Sequence, residues 1–213
     1  MKPSQLVRLL SSVKDFDKPK IVLEQYATDK EMAVDIVNLI DEEVGGLEGN
    51  TVLDLGCGCG MLSIAATAMG ASYCLGVEMD PDAATICKEN IDELEFNEAI
   101  DIVIGDVLNI CIPEGIFDIV LINPPFGTKK NEGMDIRFVE KALKCVKDEG
   151  NVYSIHKSST RRFVLKKGEE MGAETKVVAH MRWKLESTYR FHKKNSVDIE
   201  VDLICFKKRK TQK

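Results

Sequence analysis

The chain has 213 residues, 44% of them hydrophobic and 30% charged, the composition of an ordinary globular protein and enough length for one α/β domain. No apolar run reaches the length of a membrane span, and the polar first residues lack a signal peptide's hydrophobic region, so we expect a protein inside the cell. The net charge of −6 is unevenly distributed, because residues 129–213 hold 22 of the 29 Lys and Arg but only 12 of the 35 Asp and Glu. This basic half indicates an anionic partner.

The N-terminal part is predicted to be helical. Leucines recur at helical spacing within residues 1–24, which favours one or two helices there. A loop over residues 23–28 then leads to an amphipathic helix at Glu31–Ile40, which Thr28 or Asp29 is placed to cap.

The first predicted strand, Thr51–Leu55, runs into the glycine loop Gly56–Gly60 (GCGCG) and a helix that ends near Met69. Glycines allow a backbone to approach a ligand closely, and this loop opens onto a helix N-terminus. The last glycine of the dinucleotide-binding fingerprint is missing, which disfavours a nicotinamide dinucleotide. Asp54, just before the loop, suits a cationic ligand.

Acidic residues follow the next two predicted strands, Tyr73–Val77 and Ile100–Ile104. Glu78 stands where an acid can accept both hydroxyls of a ribose. A helix over residues 81–94 connects the two strands, and Asp106 is placed to accept a hydrogen bond from an adenine amino group. The alternative interpretation of both acids is an exposed turn residue.

The fourth predicted strand, Ile119–Ile122, carries the most informative motif of the chain, Asn123-Pro124-Pro125-Phe126. Its prolines end the strand and stiffen the loop that follows, at the edge where open α/β sheets bind ligands. Asn123 Oδ1 and the Pro124 carbonyl can accept both hydrogens of a flat NH2 group, and Phe126 can stack on its face. The alternative is a simple strand-ending turn with a core Phe.

The C-terminal half continues the alternation of helices and strands. We predict helices at 135–146 and 159–171 and strands at 151–156, 177–183 and 197–206. We predict that the polar loop 127–133 is a substrate gate. Aromatic residues among cations suit unstacked bases and phosphates. The predicted RNA contacts are Lys129, Arg161, Arg162, Tyr189, Phe191, His192, Lys193 and Lys194.

The seven cysteines do not indicate a disulfide framework. Most lie in apolar runs, as expected of reduced core thiols; these are Cys74, Cys87, Cys111, Cys145 and Cys205. Cys57 and Cys59 lack a second pair at metal-binding spacing, so no metal site is predicted.

Together, the glycine loop, the ribose acid and NPPF resemble the S-adenosylmethionine-dependent amino-methyltransferases. The resemblance is closest to the family of methyltransferase-like protein five, the N6-adenosine methyltransferases of small-subunit (18S) ribosomal RNA. It spans nearly the whole chain in the blocks LEQYAT (23–28), VLDLGCGCGMLSI (52–64), INPPFGTK (122–129), SIHKSSTR (154–161) and YRFHKKNSVDIEVDLI (189–204). Ala27 stands where the family usually has Pro, and Glu78 replaces a frequent Asp.

The resemblance implies a doubly wound, mostly parallel seven-stranded sheet of the Rossmann-like class I methyltransferase type. One domain is expected over residues 1–206, with residues 1–45 closing over the cofactor and a basic, disordered tail at 207–213. Catalysis is implied at Asn123, Pro124, Pro125 and Phe126. Cofactor contacts are implied at Gln25, Thr28, Gly56, Cys59, Glu78 and Asp106. From their positions in the sequence motifs, we also predict cofactor contacts at Asp54 and Asn123.

The resemblance further implies a partner, a small zinc-binding activator subunit that pairs with a sheet edge. It also implies localisation in the nucleus (nucleolus) and cytoplasm. Two rival functions stay open. NPPF would equally serve a protein-glutamine N5-methyltransferase acting on a release factor, since a side-chain amide presents the same NH2 group. The other rival is a non-catalytic scaffold that binds cofactor.

Overall fold

A computed structural model of the chain describes residues 1–126, 131–186 and 196–210. Within these residues, the strands are β1 (Thr51–Leu55), β2 (Tyr73–Glu78), β3 (Ile100–Ile104), β4 (Phe117–Ile122), β5 (Val146–Lys157), β6 (Ala173–Glu186) and β7 (Ser196–Lys208). The α-helices are α1 (Pro3–Leu10), α2 (Lys30–Val44), α3 (Met61–Ala68), α4 (Pro81–Glu93), α5 (Met134–Cys145) and α6 (Arg161–Glu170).

The strands form one sheet in the order β3-β2-β1-β4-β5-β7-β6. The first five are parallel, and β7 runs antiparallel between β5 and β6. The predicted fold class is therefore confirmed. In register, Leu55 pairs with both Val77 and Ile122, so the residues that follow β1, β2 and β4 meet at one edge of the sheet.

Two hydrophobic clusters cover the faces of the sheet, because alternate strand residues point to opposite sides. Val52 and Ile119 pack with α1, α2 and α3 on one face, whereas Leu53 and Val120 pack with α5 on the other. Strands buried on both faces account for the continuous apolar runs in the sequence.

The N-terminal helices differ from the prediction mainly in length. Asp29 caps α2, its carboxylate accepting a hydrogen bond from Met32 N at 2.8 Å, and the helix continues past Ile40 to Val44. Between α1 and α2, the chain forms only a 3₁₀ turn at Ile21–Leu23 instead of a second helix.

Several predicted boundaries in the C-terminal half are wrong. Strand β5 begins at Val146, where the helix was expected to end, and the β6–β7 hairpin is longer than predicted. Lys207 and Lys208, assigned to the tail, belong to β7, and Lys208 Nζ donates to the Val146 carbonyl at 2.9 Å. Cys111 is exposed instead of buried, whereas the other six cysteines are buried.

Among the helices of the described residues, none is both long and apolar enough to cross a membrane.

Candidate active site

A cavity of about 360 Å³ opens at the carboxyl edge of the parallel strands. This volume is typical of small-molecule sites. Most of the predicted cofactor and catalytic residues line it, and these are Gln25, Thr28, Asp54, Gly56, Cys59, Glu78, Asp106, Asn123 and Pro125. Residues separated by almost a hundred positions in the chain therefore converge on one site.

Glu78 lies in the cavity wall with its carboxylate already oriented. One oxygen accepts a hydrogen bond from Gly58 N at 2.9 Å and the other from Asp80 N at 2.8 Å. Burial raises the pKa of Glu78, and these backbone hydrogen bonds oppose that rise. Each oxygen has a further lone pair, so the carboxylate can accept a pair of ribose hydroxyls.

The glycine loop fits tightly between its neighbours. Gly58 and Gly60 have φ of +55° and +89°, which favour glycine. A Cβ on Gly58 would lie 2.9 Å from the Phe16 ring, and one on Gly60 would lie 2.5 Å from Cys87 Sγ. Both positions thus require glycine to keep the loop at the cavity.

Asp54 is almost completely buried at the end of β1 and accepts a hydrogen bond from Ser63 Oγ at 2.6 Å. Burial raises its pKa to about 6, and the Ser63 hydrogen bond partly opposes the shift. At neutral pH the carboxyl is therefore mainly ionised in a low-dielectric wall, where it favours a cationic ligand.

Asp106 is engaged in its own turn. Its carboxylate accepts from Leu108 N at 2.9 Å and from the Asn109 side chain. This arrangement fixes the carboxylate at the cavity and leaves lone pairs for an amino group.

Asn123 is oriented by a residue far from it in sequence. Its Nδ2 donates to Thr28 Oγ1 at 2.9 Å, across 95 positions of the chain. Because the nitrogen of the amide is committed to Thr28, the amide is set so that Oδ1 serves as its acceptor for another group. Asn123 is half-buried and Thr28 buried, so this contact is largely shielded from solvent.

Pro124 and Phe126 flank the cavity without lining it. Phe126 packs on Trp183 of β6, with 5.5 Å between ring centroids and 79° between ring planes. Lys157 Nζ lies over the Phe126 ring, 5.5 Å from its centroid. The aromatic part of the motif thus lies beside the cavity, against the β6–β7 hairpin.

Residues 32–182 match the family model described as methyltransferase small domain. The chain is 46% identical over 204 residues to the rRNA N(6)-adenosine-methyltransferase metl-5 of Caenorhabditis elegans, a match covering 94% of this chain and 95% of the relative. It is 45% identical to the Drosophila melanogaster rRNA N(6)-adenosine-methyltransferase Mettl5, over 97% and 96% of the two chains. This chain belongs to the METTL5 family.

A solved structure supports the same assignment. The Pyrococcus horikoshii protein PH1948 superposes with a TM-score of 0.83 at 33% identity, covering 100% of this chain and 99% of that chain. The cofactor of these methyltransferases is S-adenosylmethionine. The cavity fits that molecule, because it combines an oriented carboxylate with lone pairs free for hydroxyl groups, a buried carboxylate suited to a cation and a close backbone loop.

The N-terminal segment lines the cavity and is tied to the loop after β2 and to the start of α4. Gln25 Nε2 donates to Asp80 at 2.7 Å, and Lys20 Nζ donates to Asp80 and to Asp82. Burial alone would raise the pKa of Asp80, but the hydrogen bonds from Lys20 and Gln25 hold it below its usual value. The Gln25 amide, predicted to touch the cofactor, therefore has a structural role in holding this segment.

Asn90 makes a second link between the N-terminal segment and the rest of the site, and this role was not predicted from the sequence. Buried in α4, it accepts from Lys14 N at 2.8 Å and donates to the Lys14 and Cys59 carbonyls, each at 2.9 Å. It thus joins the N-terminal segment to the glycine loop. The sequence does show an Asn on the inner face of a helix, but it does not show that the partner of this Asn lies 76 positions away.

The predicted RNA contacts have mixed outcomes. Arg161 forms a two-point ion pair with the fully buried Asp202, at 2.7 and 2.6 Å, so its guanidinium has a structural partner. Arg162 is exposed on α6. The remaining predicted contacts lie outside the described residues, and these are Lys129, Tyr189, Phe191, His192, Lys193 and Lys194.

Proposed function

We propose that this chain methylates N6 of a specific adenosine in small-subunit (18S) ribosomal RNA, using S-adenosylmethionine. The observation that carries the proposal is the Asn123–Thr28 hydrogen bond, which presents Asn123 Oδ1 as an acceptor beside the cavity. The names of the nematode and fly relatives support rRNA adenosine as the substrate.

An adenine amino nitrogen is a poor nucleophile because it shares its lone pair with the ring, so methyl transfer to it requires catalysis. Asn123 Oδ1 and the Pro124 carbonyl accept the two N–H bonds, which favours a tetrahedral nitrogen whose lone pair is free to attack. Bound S-adenosylmethionine supplies an electrophilic methyl group. The protein contributes acceptors and an in-line position that exist before the substrate arrives.

The base must leave its stack to reach this site. Phe126 provides the stacking surface, and its contact with Trp183 holds the ring in place. The excess proton leaves to solvent or by way of the Pro124 carbonyl.

On the cofactor side, we assign the ribose hydroxyls to Glu78 and the adenine amino group to Asp106. Asp54 stabilises the positively charged part of the molecule, and the glycine loop approaches it through backbone atoms. Gln25 contributes by holding the N-terminal segment over the cavity.

We further propose that a small zinc-binding activator subunit adds a strand at β3. The sheet has β3 and β6 at its edges. Val103 and Ile104 of β3 are 40% and 58% exposed, so this edge offers apolar side chains together with unpaired backbone groups. Co-purification with the activator should be lost in Ile104→Lys and retained in the matched control Ile116→Lys, which alters an exposed isoleucine outside β3. Retention by both variants would reject this docking edge.

The corresponding location is the nucleolus and cytoplasm, where small-subunit RNA is made and used. Imaging of the tagged chain tests this assignment, and confinement to another compartment would contradict it.

The deciding experiment is methyl transfer from labelled cofactor, with and without the activator. Small-subunit RNA, total tRNA and a release-factor peptide are offered in parallel, followed by mass spectrometry of nucleosides and amino acids. We expect N6-methyladenosine in the ribosomal RNA, and none with Asn123→Ala. Label on glutamine would instead establish the protein-glutamine activity, and no label despite bound cofactor and activator would establish a scaffold.

A further inference from the structure

Lys157 is the last residue of β5 and lies at the catalytic edge of the sheet. In register, Ser154 of β5 pairs with Ile122, the residue before Asn123. The three residues that follow Ser154 therefore run alongside the NPPF loop. Lys157 pairs with Val201 of β7, and its ammonium lies over the Phe126 ring.

The Lys157 ammonium has no carboxylate partner among the described residues, although its side chain is only half-exposed. The nearby basic residues Arg161 and His180, in contrast, do have a carboxylate partner. Arg161 and His180 both contact Asp202, at 2.6 Å and 3.0 Å, so that buried carboxylate is already shared. Within residues 1–126, 131–186 and 196–210, the contact found for this half-buried ammonium is an aromatic face, which leaves its charge available for an anion.

We propose that Lys157 binds a backbone phosphate next to the adenosine that is methylated, and so sets the register of the RNA strand against Asn123. The inference rests on the proposed function and assigns a positioning residue to it. Lys157 lies within the block SIHKSSTR (154–161), but it was not among the predicted RNA contacts.

The geometry supports this role in two ways. The ammonium is 5.5 Å from the centroid of the ring on which the base is proposed to stack, and a lysine carries its charge on a flexible four-carbon stem that can adjust to a nearby phosphate. Trp183 holds the same ring edge-on. A phosphate bound by Lys157 is therefore placed relative to a fixed stacking surface, which limits where the amino group can lie.

The test is the salt dependence of RNA binding, measured with a small-subunit RNA fragment and S-adenosylhomocysteine so that no turnover occurs. Lys157→Met removes the charge and keeps the length, and Lys157→Arg keeps the charge. Lys144→Met is the matched control, because Lys144 lies at the far end of α5 and pairs with Glu140 of the same helix. For Lys157→Met we expect a slope of log affinity against log salt that is less steep by about 0.7, the value of one phosphate on a single strand.

Kinetics and a modified RNA sharpen the result. We expect Lys157→Met to raise the KM for RNA about tenfold, with cofactor affinity unchanged and Lys157→Arg close to the native chain. Replacing the phosphate beside the target adenosine by a neutral methylphosphonate should remove the difference between Lys157→Met and the native chain.

An unchanged salt slope, or an effect of Lys157→Met that persists on the neutral RNA, would overturn the inference and leave Lys157 as a support for Phe126. Failure of the proposed function is seen separately, as absence of RNA methylation by the native chain. The salt slope reports on Lys157 in either case because binding needs no turnover.

Discussion

The two sides of the candidate site differ in how completely the chain builds them. On the cofactor side, Glu78, Asp54 and Asn90 are buried and their side chains accept or donate hydrogen bonds within the protein. On the substrate side, Phe126 and Lys157 are half-exposed, and the Lys157 ammonium lies over the Phe126 ring, which Trp183 contacts edge-on. The comparison indicates a cofactor site organised in advance and a substrate site that RNA completes.

The largest expected effect is on turnover, at the junction of the two sides. Asn123→Ala removes the amide acceptor, and we expect the rate to fall by about a hundredfold or more with cofactor affinity within a few-fold of the native value. Single-turnover methylation and calorimetric titration of the cofactor measure the two quantities.

Thr28 provides the control for this effect. Thr28→Val leaves Asn123 in place but removes the oxygen that orients it, so the rate should fall by about tenfold. Thr28→Ser should restore it. If Thr28→Val and the native chain have equal rates, the Asn123–Thr28 hydrogen bond does not orient the acceptor.

At Glu78 the expected effect is on cofactor affinity, and it is smaller than the effect of Asn123→Ala on turnover. Glu78→Gln keeps the shape but loses the charge and one acceptor, so the dissociation constant should rise by about tenfold to a hundredfold. The matched control is Asp92→Asn, an exposed acid on α4. Equal cofactor affinity in both variants would remove Glu78 from the ribose site.

The location of these residues was predictable where the signal was local. A polar residue at or next to the end of an apolar strand placed Asp54, Glu78 and Asn123 at one sheet edge, because parallel strands share the direction of their ends. The ties between distant segments were not predictable, since the Thr28–Asn123 and Lys14–Asn90 contacts join residues 95 and 76 positions apart. Periodicity carries no information on such pairs.

The C-terminal hairpin shows the same limit. Its strands β6 and β7 continue through polar residues that pair in register as far as Glu186 and Ser196. Hydrophobic periodicity does not mark polar residues as part of a strand, so the predicted strands were too short. Arg161 was assigned to RNA for its charge, whereas the buried carboxylate that binds it lies 41 positions away.

The cofactor side should also depend on pH. Burial raises the pKa of Asp54 to about 6, so its negative charge is lost as the pH falls through that value. A bound cation lowers the pKa of Asp54, so cofactor binding at a pH near 6 releases a proton. We expect cofactor affinity to be constant above about pH 7 and to fall by up to about tenfold per pH unit below 6.

Two variants test this assignment by titration at several pH values. Asp54→Asn should bind more weakly at neutral pH and lose the dependence. Ser63→Ala removes a hydrogen bond that lowers the pKa, so its midpoint should move to higher pH. A midpoint that is the same in Ser63→Ala and the native chain would assign the titration to another group.

The smallest expected effects separate two adjacent arginines on the substrate side. Arg161→Met leaves the fully buried Asp202 without its two-point partner, although Ser158 at 2.9 Å and His180 remain bonded to it. We therefore expect a lower free energy of unfolding, measured by denaturant titration, and RNA affinity close to native. Arg162→Met alters an exposed side chain, so stability should be unchanged while RNA affinity falls by a few-fold and becomes less sensitive to salt. The opposite pattern would be an Arg161→Met variant with native stability and weakened RNA binding. It would show that the Arg161–Asp202 ion pair opens when the substrate binds. The substrate side would then be less organised in the free chain than the Arg161–Asp202 ion pair indicates.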